Sequence, residues 1–263
     1  MMIKKDIKAL ILDMDGVLWR AYHPIVDLKK VFLKIKEMGL KYAFATNNST
    51  KHISTYLDKL NNFGIPVTEG QIITSSIATA QKLRNEFPEG GSVFIVGEKE
   101  MARTFSDFGF SEAEENALAV VVGLDLQLEY EKMAKAATLI RNGAKFIGTN
   151  PDLTFPIPGS FAPGAGSFLA FIEAASGVKP EIVGKPQPEM FKQALTQLDS
   201  QAGETLVIGD RLETDILGGQ TAGCLTGLVL SGVSDRESGE NWTPKVDIIA
   251  ENLDDMIDMI SND

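Results

Sequence analysis

The chain is poor in several residues from which active sites are commonly built. Its 263 residues include one cysteine, Cys224, and two histidines, His23 and His52. A single cysteine excludes an intrachain disulfide and any cysteine-rich zinc site. Two imidazoles leave little room for histidine-based metal sites or triads. No uninterrupted apolar stretch approaches the length needed to cross a bilayer. Positive charge is scarce as well: Lys and Arg total 25 against 36 Asp and Glu, a net of −11. That balance argues against nucleic acid or an anionic membrane as the main partner. It also means that any phosphate-binding pocket must be locally positive against an acidic background, a need that a metal ion would serve. The opening Met-Met-Ile-Lys-Lys-Asp leads into the first apolar run without the apolar region of a signal peptide, so cytoplasmic residence is expected.

What is present is the composition of an ordinary globular protein, 44% hydrophobic and 23% charged. The length suits one large domain or two modest ones. Short apolar runs at Ala9–Leu12, Tyr42–Ala45, Val93–Val96, Ala119–Val122, Lys145–Ile147, Thr205–Ile208 and Thr226–Leu230 read as strands. They alternate with helical patterns at Leu28–Met38, His52–Phe63, Ile77–Phe87, Met101–Phe108, Tyr130–Asn142, Phe168–Ala175, Pro188–Leu198 and Asp215–Ala222. Leu28, Val31, Phe32, Ile35 and Met38 make one helical face, ended by Gly39. Strand–helix alternation predicts an α/β fold built from βαβ units.

Chemistry concentrates at the strand ends. Ala9–Leu12 runs into Asp13-Met14-Asp15-Gly16, and ligands of open α/β sheets gather at the carboxyl ends of strands. Two acids there call for compensating charge. A divalent cation would supply it, leaving one acid free to act as a nucleophile. The alternative for the tetrapeptide alone is a polar turn. Other clusters are Thr46-Asn47-Asn48, Gly184-Lys185-Pro186 and Gly209-Asp210. One helix and a return strand fit between the first two, whereas the stretch from Thr46 to Lys185 can hold strands and helices of its own. We therefore expect residues 76–181 to form an inserted domain, with a discontinuous core from 1–75 and 182–263.

In order, Asp13-Met14-Asp15-Gly16-Val17, Thr46-Asn47-Asn48, Lys185-Pro186 and Gly209-Asp210-Arg211-Leu212-Glu213-Thr214-Asp215 resemble the four motifs of the haloacid dehalogenase (HAD) superfamily. Gly148-Thr149-Asn150-Pro151-Asp152, Pro163-Gly164-Ala165-Gly166-Ser167 and Gly184-Lys185-Pro186 resemble its NagD-type, subfamily IIA, 4-nitrophenyl phosphatase-like members. The resemblance covers nearly the whole chain. It implies a Rossmann-like, doubly wound parallel sheet core with an inserted α/β cap domain that governs substrate choice. It also implies a Mg²⁺-dependent phosphatase of small phosphorylated metabolites, such as sugar phosphates or nucleoside monophosphates, acting through an aspartyl phosphate. A homodimer is compatible with it.

The resemblance assigns roles residue by residue. Asp13 would be the nucleophile, and Asp15 the acid that protonates the leaving group and later deprotonates water. Thr46 and Asn47, past a strand and ahead of a helical segment, would bind phosphate or substrate, with Asn48 and Ser49 left to helix capping. Lys185 would neutralise the phosphate and hold Asp13 ionised. Asp13, Asp210, Asp215 and the main-chain carbonyl of Asp15 would hold the metal, for which oxygen ligands favour Mg²⁺. Glu213 is a competing acid expected to be exposed. Asn150 and Asp152 would lie near the substrate entrance, with a polar turn as the equal alternative. Gly164-Ala165-Gly166 is a weak dinucleotide signal, because Ser160–Pro163 before it is not expected to be a strand. His23 and His52 are expected at the surface or in caps, and Trp19 and Trp242 in packing.

Two other enzymatic readings fit less well. The dehalogenase branch lacks the second aspartate, and family mutases place their cap between the first two motifs. The alternative of another class is a non-catalytic phospho-ligand sensor, in which loss of the nucleophile, the second aspartate or a metal acid would be expected.

Overall fold

The apolar run Ala9–Leu12 is completely buried and forms the middle of a parallel sheet. A run apolar on both faces can be satisfied only where helices cover both sides of the sheet. The computed structural model describes residues 7–157 and 159–261; the opening Met-Met-Ile-Lys-Lys-Asp lies outside them. Two compact units result. One comprises Met1–Thr46, Tyr56–Ile73 and Lys185–Asp263, the other Asn47–Thr55 and Thr74–Gly184.

In the first unit the strand order is Ile248–Ala250, Leu225–Val229, Thr205–Gly209, Ala9–Leu12, Lys41–Thr46, Ile72–Thr74. Ala9–Leu12 pairs in parallel with Thr205–Ile208 on one side and Lys41–Phe44 on the other. The chain thus leaves its first strand in one direction and later returns on the opposite side, which creates a topological switch point at Asp13. Helix Leu28–Glu37 buries Leu28, Val31, Phe32 and Ile35, and the Asp27 carboxylate accepts from the Lys30 N–H at its start. Lys34 bridges it to Asp254 and Asp258 of helix Leu253–Ser261.

The second unit has its own five-stranded sheet, ordered Glu181–Ile182, Lys145–Gly148, Ala119–Val122, Gly91–Val96, Phe110–Glu112, with every pairing parallel. Val120, Val122, Phe94 and Phe146 pack there on Met133, Ile140, Leu169 and Ile172 of two helices. All seven strands expected from the sequence are present, with small changes at their ends.

Ser160–Pro163 departs from expectation. It is a strand, paired antiparallel with Thr154–Ile157 around Gly159, whose φ is +75°. An isolated two-stranded ribbon has free edges, so it tolerates prolines and needs no alternating apolar face. The helix expected at Asp215–Ala222 begins instead with a π-helical turn, Leu212–Ile216, followed by Leu217–Thr221. The Arg211 carbonyl accepts from Ile216 N–H at 3.2 Å as well as from Asp215 N–H at 3.1 Å, which widens that turn.

Candidate active site

Asp13 leaves the central strand at its carboxyl end, with its N–H donating to the Ile208 carbonyl at 2.9 Å. Leu12 lies in register with Phe44 and Ile208, so Ala45–Thr46 and Gly209–Asp210 continue on either side of Asp13. The widened turn carries Asp215 back toward this sheet end; a Cβ on Gly209 would lie 2.1 Å from that of Asp215. One carboxylate oxygen from each of Asp13, Asp210 and Asp215 comes within 4.8 Å of the others. No other such group of three acids, cysteines or histidines occurs among the described residues. Glu213 is exposed and is not among the three.

Lys185 is the counter-charge. Its ammonium donates to Asp13 Oδ1 at 2.6 Å, Asp215 Oδ1 at 2.6 Å and the Ala45 carbonyl at 2.8 Å. It is 3% exposed, so all three ammonium protons need protein acceptors, and these three supply them. Burial pulls its pKa down, but Asp13 and Asp215 outweigh that and the net displacement is upward. Lys185 is therefore a fixed cation.

The acids respond in the other direction. Burial raises Asp13 well above the ordinary carboxylate range; Lys185 opposes this, while Asp215 and Asp210 add to it. Burial and then Asp215 push Asp210 up to about 6, partly offset by Arg211 and by the Val233 N–H that donates to its Oδ2 at 2.9 Å. One lysine does not compensate three converging carboxylates. Their hard oxygen donors and residual repulsion suit a divalent cation. The backbone around Asp210 leaves no room for side chains: a Cβ would lie 2.4 Å from its Oδ2 at Gly16 (φ +88°) and 1.9 Å from it at Gly232.

Asp15 is exposed, and its side chain stands outside the acid cluster. Its Oδ1 accepts from the indole N–H of Trp19 at 2.9 Å. Trp19 is buried as expected of a packing residue, but this donor role was missed in the sequence. Ser231 was missed too: its hydroxyl donates to the Gly16 carbonyl at 2.7 Å, and its own carbonyl accepts from Arg20 Nε. Buried Tyr56 is a third; burial and the charges of Asp15 and Asp13 push its phenol upward. None of the three carries a local signal beyond its residue type.

Thr46 is the last residue of its strand and is buried. The following helix starts only at Ile53, so Thr46 and Asn47 do not lie at a helix N-terminus. Asn48 does not cap that helix either: its Oδ1 accepts from Thr50 N–H and Oγ1, closing a local turn. His52 occupies the cap instead, with Nδ1 at 3.3 Å from Ser54 N, and it is buried rather than superficial, its Nε2 2.9 Å from Asp107 Oδ2. His23 is exposed.

Within the second unit, Asn47 offers its carbonyl to Ser75 Oγ at 2.8 Å and Asn150 Nδ2 at 3.0 Å. Asn150 Oδ1 accepts from Asp152 N–H at 3.1 Å, so both ends of its buried amide are engaged. Asn150 thus acts on Asn47, and Asp152 follows it in the same turn.

The profile of haloacid dehalogenase-like hydrolases matches residues 10–111, and a second profile, HAD-hydrolase-like, matches residues 182–256. The chain belongs to the haloacid dehalogenase-like hydrolases. This hydrolase is 38% identical to the 5′-nucleotidase YutF of Bacillus subtilis over 89% of its own length and 91% of the relative's. The fold of the p-nitrophenyl phosphatase from Archaeoglobus fulgidus matches it with a TM-score of 0.91 at 33% identity, covering 96% and 99% of the two chains. For NagD from E. coli K-12 the TM-score is 0.86 at 34% identity, covering 94% and 97%. The hydrolase thus falls in the NagD-like branch.

Proposed function

We propose that this NagD-like hydrolase removes phosphate from small phosphorylated metabolites through an aspartyl phosphate on Asp13, with Mg²⁺ held by Asp13, Asp210, Asp215 and the Asp15 carbonyl. The chain is a phosphoric monoester hydrolase. The observation that carries the mechanism is the position of Asp13, bonded to a buried lysine at the switch point of the sheet while two further acids converge on it.

In the first step an oxygen of Asp13 forms a bond to phosphorus as the ester P–O bond breaks. Asp15 gives its proton to the departing oxygen, so the alcohol leaves neutral. Lys185 favours the ionised, attacking form of Asp13 against the burial that opposes it, and contributes positive charge toward the phosphoryl oxygens. In the second step Asp15 takes a proton from water, the water oxygen bonds to phosphorus, and the Asp13–phosphorus bond breaks to release phosphate. Mg²⁺, when bound, supplies positive charge to the acids and to the phosphoryl oxygens. Thr46 and Asn47 bind phosphate oxygens or substrate, and Asn150, with Asp152 in the same turn, steadies the Asn47 peptide.

Among the described residues no helix is long and apolar enough to cross a membrane, and cytoplasmic residence belongs to the same reading. So does a substrate range of sugar phosphates and nucleoside monophosphates, which a phosphometabolite panel would resolve. The decisive experiment is hydrolysis of p-nitrophenyl phosphate. Turnover should require Mg²⁺, stop with EDTA, return with added Mg²⁺, and vanish in Asp13→Asn with the fold intact. Wild-type turnover by Asp13→Asn would end the proposal.

A further inference from the structure

We infer that Trp19 is a positioning residue for proton transfer: its indole N–H holds Oδ1 of Asp15 as an acceptor, so that the catalytic proton is carried by the other oxygen, Oδ2. This rests on the reading of Asp15 as the general acid.

The geometry begins with a closed turn. Leu18 N–H donates to the Met14 carbonyl and Gly16 N–H to the Trp19 carbonyl, each at 2.9 Å. That turn fixes residue 19 beside residue 15, and the indole Nε1–H reaches Asp15 Oδ1 at 2.9 Å. The ring cannot easily turn away. It stacks on Phe63, with centroids 5.9 Å apart and planes inclined by 26°. The Lys59 ammonium lies 3.6 Å from the ring centroid on the indole, and it donates to the Ala21 carbonyl at 2.9 Å. Trp19 is 1% exposed, so its N–H needs an acceptor, and that acceptor is an otherwise exposed carboxylate.

The chemistry follows from what an indole can do. It donates and never accepts, so it cannot take the proton from Asp15. A donor at Oδ1 stabilises negative charge there, so in the neutral acid the proton resides on Oδ2. Holding one oxygen also removes rotation about the carboxylate, which would otherwise have to be arrested during proton transfer. Phenylalanine would keep the aromatic packing and most of the contact with Lys59 but lose the donor.

Leaving-group dependence isolates this role. Departure of p-nitrophenolate needs little protonation, whereas an alkyl alcohol needs a full proton. The quantity kcat/KM extends only through ester cleavage and is insensitive to hydrolysis of the aspartyl phosphate. In Trp19→Phe we expect kcat/KM for glycerol phosphate to fall at least ~10-fold more than for p-nitrophenyl phosphate, within the range of general acid catalysis. Asp15→Asn should show the same bias more strongly. If Asp15→Asn shows the bias and Trp19→Phe does not, or if Trp19→Phe favours the alkyl ester, the inference fails. If Asp15→Asn lacks the bias, the assignment of Asp15 fails instead. Should Trp19→Phe fold poorly, incorporation of benzothienylalanine in a Trp242→Phe background replaces the N–H by sulfur without changing ring shape, and the same ratio decides.

Discussion

Lys185 Nζ lies 2.6 Å from Asp13 Oδ1 although 172 residues separate the two in sequence. The same ammonium holds Asp215 on its other side, so one cation links the first and last motifs of the site. Breaking a buried ion pair leaves its partners charged and unpaired.

Lys185→Met should therefore destabilise the metal-free protein by about 3–5 kcal/mol, the usual cost of removing one partner of a buried pair. Turnover of p-nitrophenyl phosphate should fall by orders of magnitude. Urea unfolding with EDTA present measures the first effect and initial rates the second. A variant unchanged in both would contradict the role assigned to Lys185.

The acids give a pH signature whose sign depends on the metal. Asp210 is pushed from 3.8 to about 6 and Asp13 is raised as well, so the folded metal-free protein holds these protons more tightly than the unfolded chain. The contribution of Asp210 to stability is full below pH 3.8 and is lost as pH rises through about 6, and the raised Asp13 acts in the same direction. A divalent ion binds the deprotonated acids, so its affinity should grow over the same interval. Thermal melts should show Mg²⁺ raising Tm more at pH 7.5 than at pH 5.5. An equal Mg²⁺ effect at both values would argue against these acids as ligands.

Crowding around Asp210 gives a third expectation. A Cβ at Gly232 would stand 1.9 Å from Asp210 Oδ2, beside the Val233 N–H that donates to that oxygen. Gly232→Ala should displace the carboxylate, weaken Mg²⁺ binding at least tenfold, and cost ~1–3 kcal/mol as an overpacked site. Gly203→Ala, with nothing within 4 Å of its Cβ, is the matched control. Titration of Mg²⁺ by calorimetry compares them, and equal affinities would remove Asp210 from the metal site.

The sequence was informative wherever structure is local. Runs such as Ala9–Leu12 and Ala119–Val122 are apolar at every position, a pattern that a doubly covered parallel strand imposes. The hairpin of Trp19–Arg20 with His23–Pro24 and the ribbon containing Ser160–Pro163 left no such imprint. The first has only two residues per strand and the second is mostly exposed, so neither carries an apolar run long enough to show a period. Asn47–Thr55 joins the second unit although its sequence neighbours on both sides belong to the first. The bonds that hold it run to Ser75, Ser76, Asp107 and Asn150, none of them predictable from spacing.

The sequence by itself determined that strands alternate with helices and that acids sit at the strand tips, because burial periodicity and chain reversal act over a few residues at a time. Only the tertiary structure decided that Asp13, Asp210 and Asp215 share one small volume, that Lys185 bridges two of them, and that Trp19 grips Asp15. The difference is physical. Strand order, a widened helical turn and side-chain rotamers set those distances, and each results from packing across the whole fold.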